Sequence, residues 1–212
     1  MKKEILKPRK TGEQRRRNHK VSVEKRIKKY IKDGGKGSLD LRGTPIEKLP
    51  GNLKVGGNLF LINTPIKELP DNLKVGGSLF LTNTSIKELP DNLEVGSDLH
   101  LTSTPIKELP DNLKVSGDLS LKDTSIEELP DNLKVGRSLY LGNTPIKELP
   151  DNLQVGFSLF LRNTPIKELP DNLKVGGGLL LMNTPLSKEY YKEEIRNMIE
   201  ERGGYVKEDI IL

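Results

Sequence analysis

From residue 39 onward the apolar positions repeat with a period of 20, kept without insertion or deletion. Leucines separated by one residue stand at Leu39/Leu41, Leu59/Leu61, Leu79/Leu81, Leu99/Leu101, Leu119/Leu121, Leu139/Leu141, Leu159/Leu161 and Leu179/Leu181. A fixed short period marks stacked supersecondary units, none of which can bury its apolar side alone. The unit reads L-x-L-x-x-T-x-I-x-x-L-P-x-x-L-x-V-x-x-x.

In a strand, alternate residues face opposite sides. Leu59 and Leu61 therefore point inward, and Asn58, Phe60 and Ile62 point outward. Rungs pairing at about 4.8 Å predict a parallel slab roughly 40 Å long. Thr64 follows the strand where the chain must turn. Its hydroxyl is expected to donate to and accept from the backbone of adjacent rungs. Asn52, Asn72, Asn92, Asn112, Asn132, Asn152 and Asn172 are expected to serve a second turn. The "IKELPDNL" side carries Pro and shows no helical period, so it is expected to be extended or short 3₁₀ helix.

Both ends carry a capping signal. After Ser22 come Val23, Ile27, Tyr30 and Ile31; after Ser187 come Tyr191, Ile195, Met198 and Ile199. Each set has the spacing of an amphipathic helix behind a Ser N-cap, and each is followed by a Gly pair, Gly34-Gly35 or Gly203-Gly204. The tail "VKEDIIL" matches "VGGSLFL" in register, which predicts a ninth strand with Val206, Ile210 and Leu212 inward. The organisation read from the sequence is a disordered basic arm (1–20), an N-terminal capping helix (21–35), eight repeats (36–186), and a C-terminal capping helix with a final strand (187–212). The fold class is a β-rich solenoid, a parallel sheet with an extended or 3₁₀ convex side and short α-helical caps at both ends.

Within one unit, Leu59, Leu61, Thr64, Ile66 and Leu69-Pro70 resemble the leucine-rich repeat, L-x-x-L-x-L-x-x-N-x-L. The kinship is to the bacterial 20-residue "LP" type, found in pathogen effectors of the Yersinia outer protein M and invasion-plasmid-antigen H kind and in bacterial and tailed-phage proteins. It covers about residues 37–186. Thr stands where that family has its ladder Asn. Val55, Val75 and Val95 stand in for the missing first leucine. The resemblance implies a non-enzymatic scaffold or adaptor. The ligase domain of some such effectors has no counterpart in these residues, and there is no Cys nucleophile.

Charge divides the chain. Residues 1–33 hold 14 Lys/Arg against 4 Asp/Glu, a net of +10, and the remainder holds 21 against 26, a net of −5. The basic stretch includes Lys7, Arg9, Lys10, Arg15, Arg16, Arg17 and Lys20. It has no apolar period, and it suits a phosphate backbone or another polyanion without base stacking. No apolar run reaches membrane-span length and no Sec-type signal is visible, so a cytoplasmic location is expected. Host delivery or association with a virion are the alternatives. Zero Cys excludes disulfides and thiolate metal sites.

Candidate chemistry lies in the outward columns, which folding leaves free. The middle one runs Asp40, Phe60, Phe80, His100, Ser120, Tyr140, Phe160, Leu180. Three of the four Phe of the chain fall there, and Phe157 lies near the same end. A row of outward aromatics marks a protein-binding surface, or else stacks on itself to stiffen the sheet. Asp98, His100, Asp118, Ser120 and Lys122 form a polar notch between two apolar stretches. Asp, His and Ser together invite a catalytic reading. Asp98 and His100, however, lie two apart on one strand, about 7 Å at Cα, and no oxyanion donor or water-excluding concavity accompanies them. The notch is expected to set partner specificity, with no catalysis, metal or cofactor. The two function classes are a scaffold binding a protein partner on its sheet face, and a polyanion-associated structural protein binding through its arm.

Overall fold

The structure, a computed structural model, describes residues 11–131 and 133–212, and gives no side-chain placement for Glu13 and residues 15–19. The chain winds as a solenoid of parallel sheets. Nine two-residue strands pair strictly in sequence order: Leu39–Asp40, Leu59–Phe60, Leu79–Phe80, Leu99–His100, Leu119–Ser120, Leu139–Tyr140, Leu159–Phe160, Leu179–Leu180 and Ile210–Ile211. Register is residue on equivalent residue, Leu59 beside Leu79 and Phe60 beside Phe80. That register puts like on like in the inward columns, so the inward leucines form one continuous core with Ile66, Leu69, Leu73 and Val75 and their equivalents. Leu59, Leu61, Leu79 and Leu81 have no exposed surface.

The Thr hydroxyls act more locally than the sequence suggested. Thr64 Oγ1 donates to the Leu61 carbonyl of its own rung at 2.7 Å, and Thr84, Thr104, Thr124, Thr144, Thr164 and Thr184 repeat the contact. The turn beside it depends on a column the sequence reading passed over. Asn63, Asn83, Ser103, Asp123, Asn143, Asn163 and Asn183 all have φ between 55° and 60°. Asn and Asp tolerate this left-handed conformation better than other non-glycine residues. Of the second Asn set, Asn52, Asn152 and Asn172 are left-handed, while Asn132 lies outside the described residues.

The convex side is extended, and it also carries a second parallel ladder that the sequence reading did not separate from the first. Lys54–Val55, Lys74–Val75 and Glu94–Val95 form one three-stranded sheet; Lys134–Val135, Gln154–Val155, Lys174–Val175 and Tyr205–Val206 form a four-stranded one. They are separated at Val115, which keeps only a bridge to Val135. The seam coincides with a break in the glycine column. A Cβ on Gly76 would lie 2.4 Å from the Gly56 carbonyl oxygen, and one on Gly96 2.2 Å from that of Gly76. Such contacts are prohibitive. The residue stacked next on Gly96 is Ser116, which does have a Cβ, so its rung stands off. Leu93, Val95 and Leu113 are accordingly 7–8% exposed, where Leu73 and Leu153 are sealed.

The ends correct the sequence reading in detail. Helix α1 spans Gly12–Lys32, with Thr11 as its N-cap, eleven residues before the expected Ser22. Thr11 and Gln14 form a capping box that closes its N-terminus, so the segment from Gly12 is helical rather than a disordered arm. Lys7, Arg9 and Lys10 lie outside the described residues. Val23 and Ile27 are buried against the first rungs and Ile31 is exposed. Tyr30 Oη links the helix to the solenoid, lying 2.6 Å from Gly35 O and 2.8 Å from Gly37 O and accepting from the Gly56 amide.

At the other end the expected single helix is two, α2 (Leu186–Glu189) and α3 (Lys192–Glu201). Ser187 is held by Thr184, and the chain is extended at Tyr190, so Tyr191 becomes the N-cap of α3 and is exposed rather than apolar-face. Ile195 and Ile199 are buried. The ninth strand forms as Ile210–Ile211 with Ile210 inward, and Val206 is buried in the separate convex strand Tyr205–Val206; Leu212 is 39% exposed, since no rung covers it within the sheet. Among the described residues no helix is long and apolar enough to cross a membrane.

Candidate functional site

Each rung presents three outward columns, and the structure gives them different tasks. The first, Ser38 to Gly178, is a folding device. Ser38 Oγ accepts the Asn58 amide at 3.0 Å, Asn58 Oδ1 that of Ser78 at 2.8 Å, Asp98 Oδ1 that of Asp118 at 2.9 Å, and Asp118 Oδ1 that of Ser138 at 2.9 Å. Short acceptors recur there because each must reach one amide of the next rung. Asp98 and Asp118 are therefore anchored into the sheet, and their charges come to the surface as a by-product.

The middle column is a stack of rings. Phe60 and Phe80 lie 4.7 Å apart at 10°, Phe80 and His100 4.6 Å apart at 6°, and Tyr140 and Phe160 4.4 Å apart at 13°. The rung spacing itself dictates this: equal rotamers on a parallel ladder place flat rings at stacking distance. All five are half-buried. Leu180 continues the second run beside Ile211. At the other end Arg42 closes the first run, its guanidinium 5.1 Å from the Phe60 ring centre. Asp40 fixes that guanidinium with contacts of 3.0 and 2.6 Å, and the pairing holds the Asp40 carboxyl below its usual range. Arg42 belongs to this surface although the sequence reading did not select it. Its signal was Asp40 two residues earlier on the same face.

Ser120 interrupts the stack. It sits between His100 and Tyr140 in register, and its Oγ is 2.8 Å from Thr102 Oγ1. Asp98 is bound to Ser78 Oγ at 3.0 Å as well as to the Asp118 amide. Both members of the imagined triad thus have partners other than the imidazole. Burial pushes the His100 pKa down, against the partly offsetting pull of Asp98 and Asp118, so the ring is neutral at neutral pH. Burial opposes ionisation of Asp98, but the Asp118 amide, the Ser78 hydroxyl, the His100 imidazolium that forms at the acid pH where Asp98 titrates, and Arg137 together hold its carboxyl below the usual range. Lys122 turns away toward Asp123, 3.6 Å distant, and is exposed. Among the described residues no group of three or more His, Asp or Glu side chains is placed to hold a metal ion.

Phe157 lies outside the column and is 51% exposed. Of the basic residues, Lys20 is exposed on α1 with Lys25, Lys28 and Lys32, while Arg15, Arg16 and Arg17 are placed by their backbone alone. The sheet face therefore brings together Phe60, Phe80 and His100 as one unit and Tyr140, Phe160 and Leu180 as another, with Ser120 between. No protein-family model and no curated protein matches the chain.

Proposed function

We propose that this protein is a non-enzymatic, leucine-rich-repeat-type scaffold that binds a protein partner through the outward ring column of its long sheet. The observation that supports it is the column itself: two runs of half-buried, mutually stacked rings on a face that no other described element covers. Rings already held by their neighbours lose little conformational freedom on binding, so their contact area converts efficiently into affinity. The convex columns of Lys and Glu are near-constant from rung to rung and offer a partner no address. Phe60→Ser combined with Phe80→Ser removes the first run while leaving the inward leucines untouched. Capture of the partner from extracts of the native source is expected to be lost in this double variant, and unchanged capture contradicts the reading.

A second reading is supported by α1. Its solvent side carries Lys25, Lys28 and Lys32, and among the described residues only Lys29 is paired along it, with Asp33 at 2.7 Å. A polyanion such as nucleic acid would meet this helix, while the net-negative body stays clear of it. Salt-sensitive retardation of duplex DNA or RNA, abolished by Lys25→Glu/Lys28→Glu/Lys32→Glu, is the outcome that favours it.

A further inference from the structure

We propose that the break in the ring column at Ser120 is a slot for one planar ring, supplied by an aromatic side chain of a protein segment that carries Lys or Arg beside it. The inference rests on the sheet-face reading and narrows it.

The rings of the column repeat at 4.7, 4.6 and 4.4 Å. Register places His100, Ser120 and Tyr140 on three successive rungs. The two rings therefore face each other across two rung spacings, about 9.6 Å. That is two stacking distances, the room for one more ring. Ser120 is too short to fill it. Its hydroxyl is already bound to Thr102, and it is only 9% exposed, so it forms a satisfied floor beneath the two rings. The walls are stiff: His100 is backed by Phe80, and Tyr140 by Phe160. An inserted ring would meet a ring face on each side and complete one unbroken stack from Arg42 to Leu180.

The flanks select the kind of ring. Asp98 and Asp118 stand along one side of the slot, each accepting a backbone amide at Oδ1. The nearest cation to Asp118 there is Arg137, whose Nε is 3.9 Å away. A nucleobase would bring its phosphodiester against two carboxylates on a body of net −5, whereas a basic peptide gains from both.

The probe is acetyl-Lys-Trp-Lys-amide. The chain has no Trp, so indole emission reports the probe alone. A saturable emission change is expected, with upfield shifts of the His100 and Tyr140 ring protons. Ser120→Phe supplies the ring from within and is expected to weaken binding by about tenfold or more; acetyl-Lys-Ala-Lys-amide is not expected to compete. Absence of saturation up to the solubility of the probe, equal binding by Ser120→Phe, or shifts centred elsewhere overturns the slot. The ring-proton shifts of the unsubstituted protein decide even where Ser120→Phe fails to fold. An oligothymidylate that displaces the peptide and shifts the same two rings overturns the assignment to a protein. Partner capture that survives Ser120→Phe but is lost with Phe60→Ser/Phe80→Ser overturns the slot and leaves the sheet-face reading standing.

Discussion

A Cβ on Gly96 would lie 2.2 Å from the carbonyl oxygen of Gly76. The convex ladder closes where glycine stacks on glycine and opens where Ser116 follows Gly96; at its C-terminal edge it closes on Lys207, whose amide donates to the Val175 carbonyl at 3.1 Å. Gly96 N–H reaches Val75 O at 2.9 Å and Gly136 N–H reaches Val115 O at 2.9 Å; across the seam between them the strands do not pair. Ser116→Gly is expected to close the seam. Two restored backbone hydrogen bonds at about 1 kcal/mol each outweigh about 0.5–1 kcal/mol of added glycine entropy. Hydrogen exchange checks it directly: the Lys114 and Gly-substituted 116 amides should gain protection. Gly156→Ser is the converse, opening a second seam and costing about 1–3 kcal/mol. Unchanged exchange in both variants contradicts the steric account.

The ring stack should contribute to stability without being required for folding. Phe80 stacks on both Phe60 and His100, and aromatic pairs are worth about 0.5–1.5 kcal/mol each beyond burial. Phe80→Ala is expected to lower the urea midpoint by an amount equivalent to about 1–3 kcal/mol while far-UV circular dichroism is unchanged. A variant that does not fold would show the column to be core rather than surface.

Stability should fall in two steps as pH drops. The folded pKa of His100 lies below its ordinary 6.5, so the unfolded chain takes up the proton first. Stability is full above 6.5 and is lost as pH falls through that value toward the folded one. Asp98 is depressed from its ordinary 3.8. Its contribution is full above 3.8 and is lost as pH falls from there through the folded value. Denaturant midpoints measured across these ranges should show both steps, and His100→Phe should erase the upper one. Persistence of the upper step in that variant would assign it to other groups.

The Thr column is a test of local against inter-rung bonding. Thr164 Oγ1 bonds to Leu161 O, which also takes the Thr164 amide at 3.2 Å. Thr164→Val keeps the volume and loses one hydrogen bond, so the expected cost is about 1–2 kcal/mol, confined to its own rung. Protection lost equally at the Thr144 and Thr184 rungs would instead support bonding between rungs.

The solenoid was legible because a 20-residue period with inward leucines admits one kind of stacking, and Leu59 and Leu61 had no other face to take. The ninth strand followed from the same register at Val206 and Ile210. What escaped was local. The helix before Val23 has no apolar stripe; its visible sign was the Thr11–Gln14 capping box. The left-handed turn was written in Asn63 and its equivalents, beside the Thr that drew attention. The seam needed coordinates, because Gly96 and Ser116 look interchangeable until a carbonyl oxygen is seen where the Cβ must go. At the candidate site, the ring column was readable as outward, but the amide-anchoring of Asp98 and Asp118 and the Arg42 cap depended on distances across rungs.

The central claim is that the partner meets the ring column and not the convex side. A photo-crosslinking phenylalanine derivative placed at Phe80 and, separately, at Lys87 tests it most directly in cells of the native source. Light-dependent adducts of one protein from the Phe80 position, with none from Lys87, are the expected result. Adducts from Lys87 alone would contradict it.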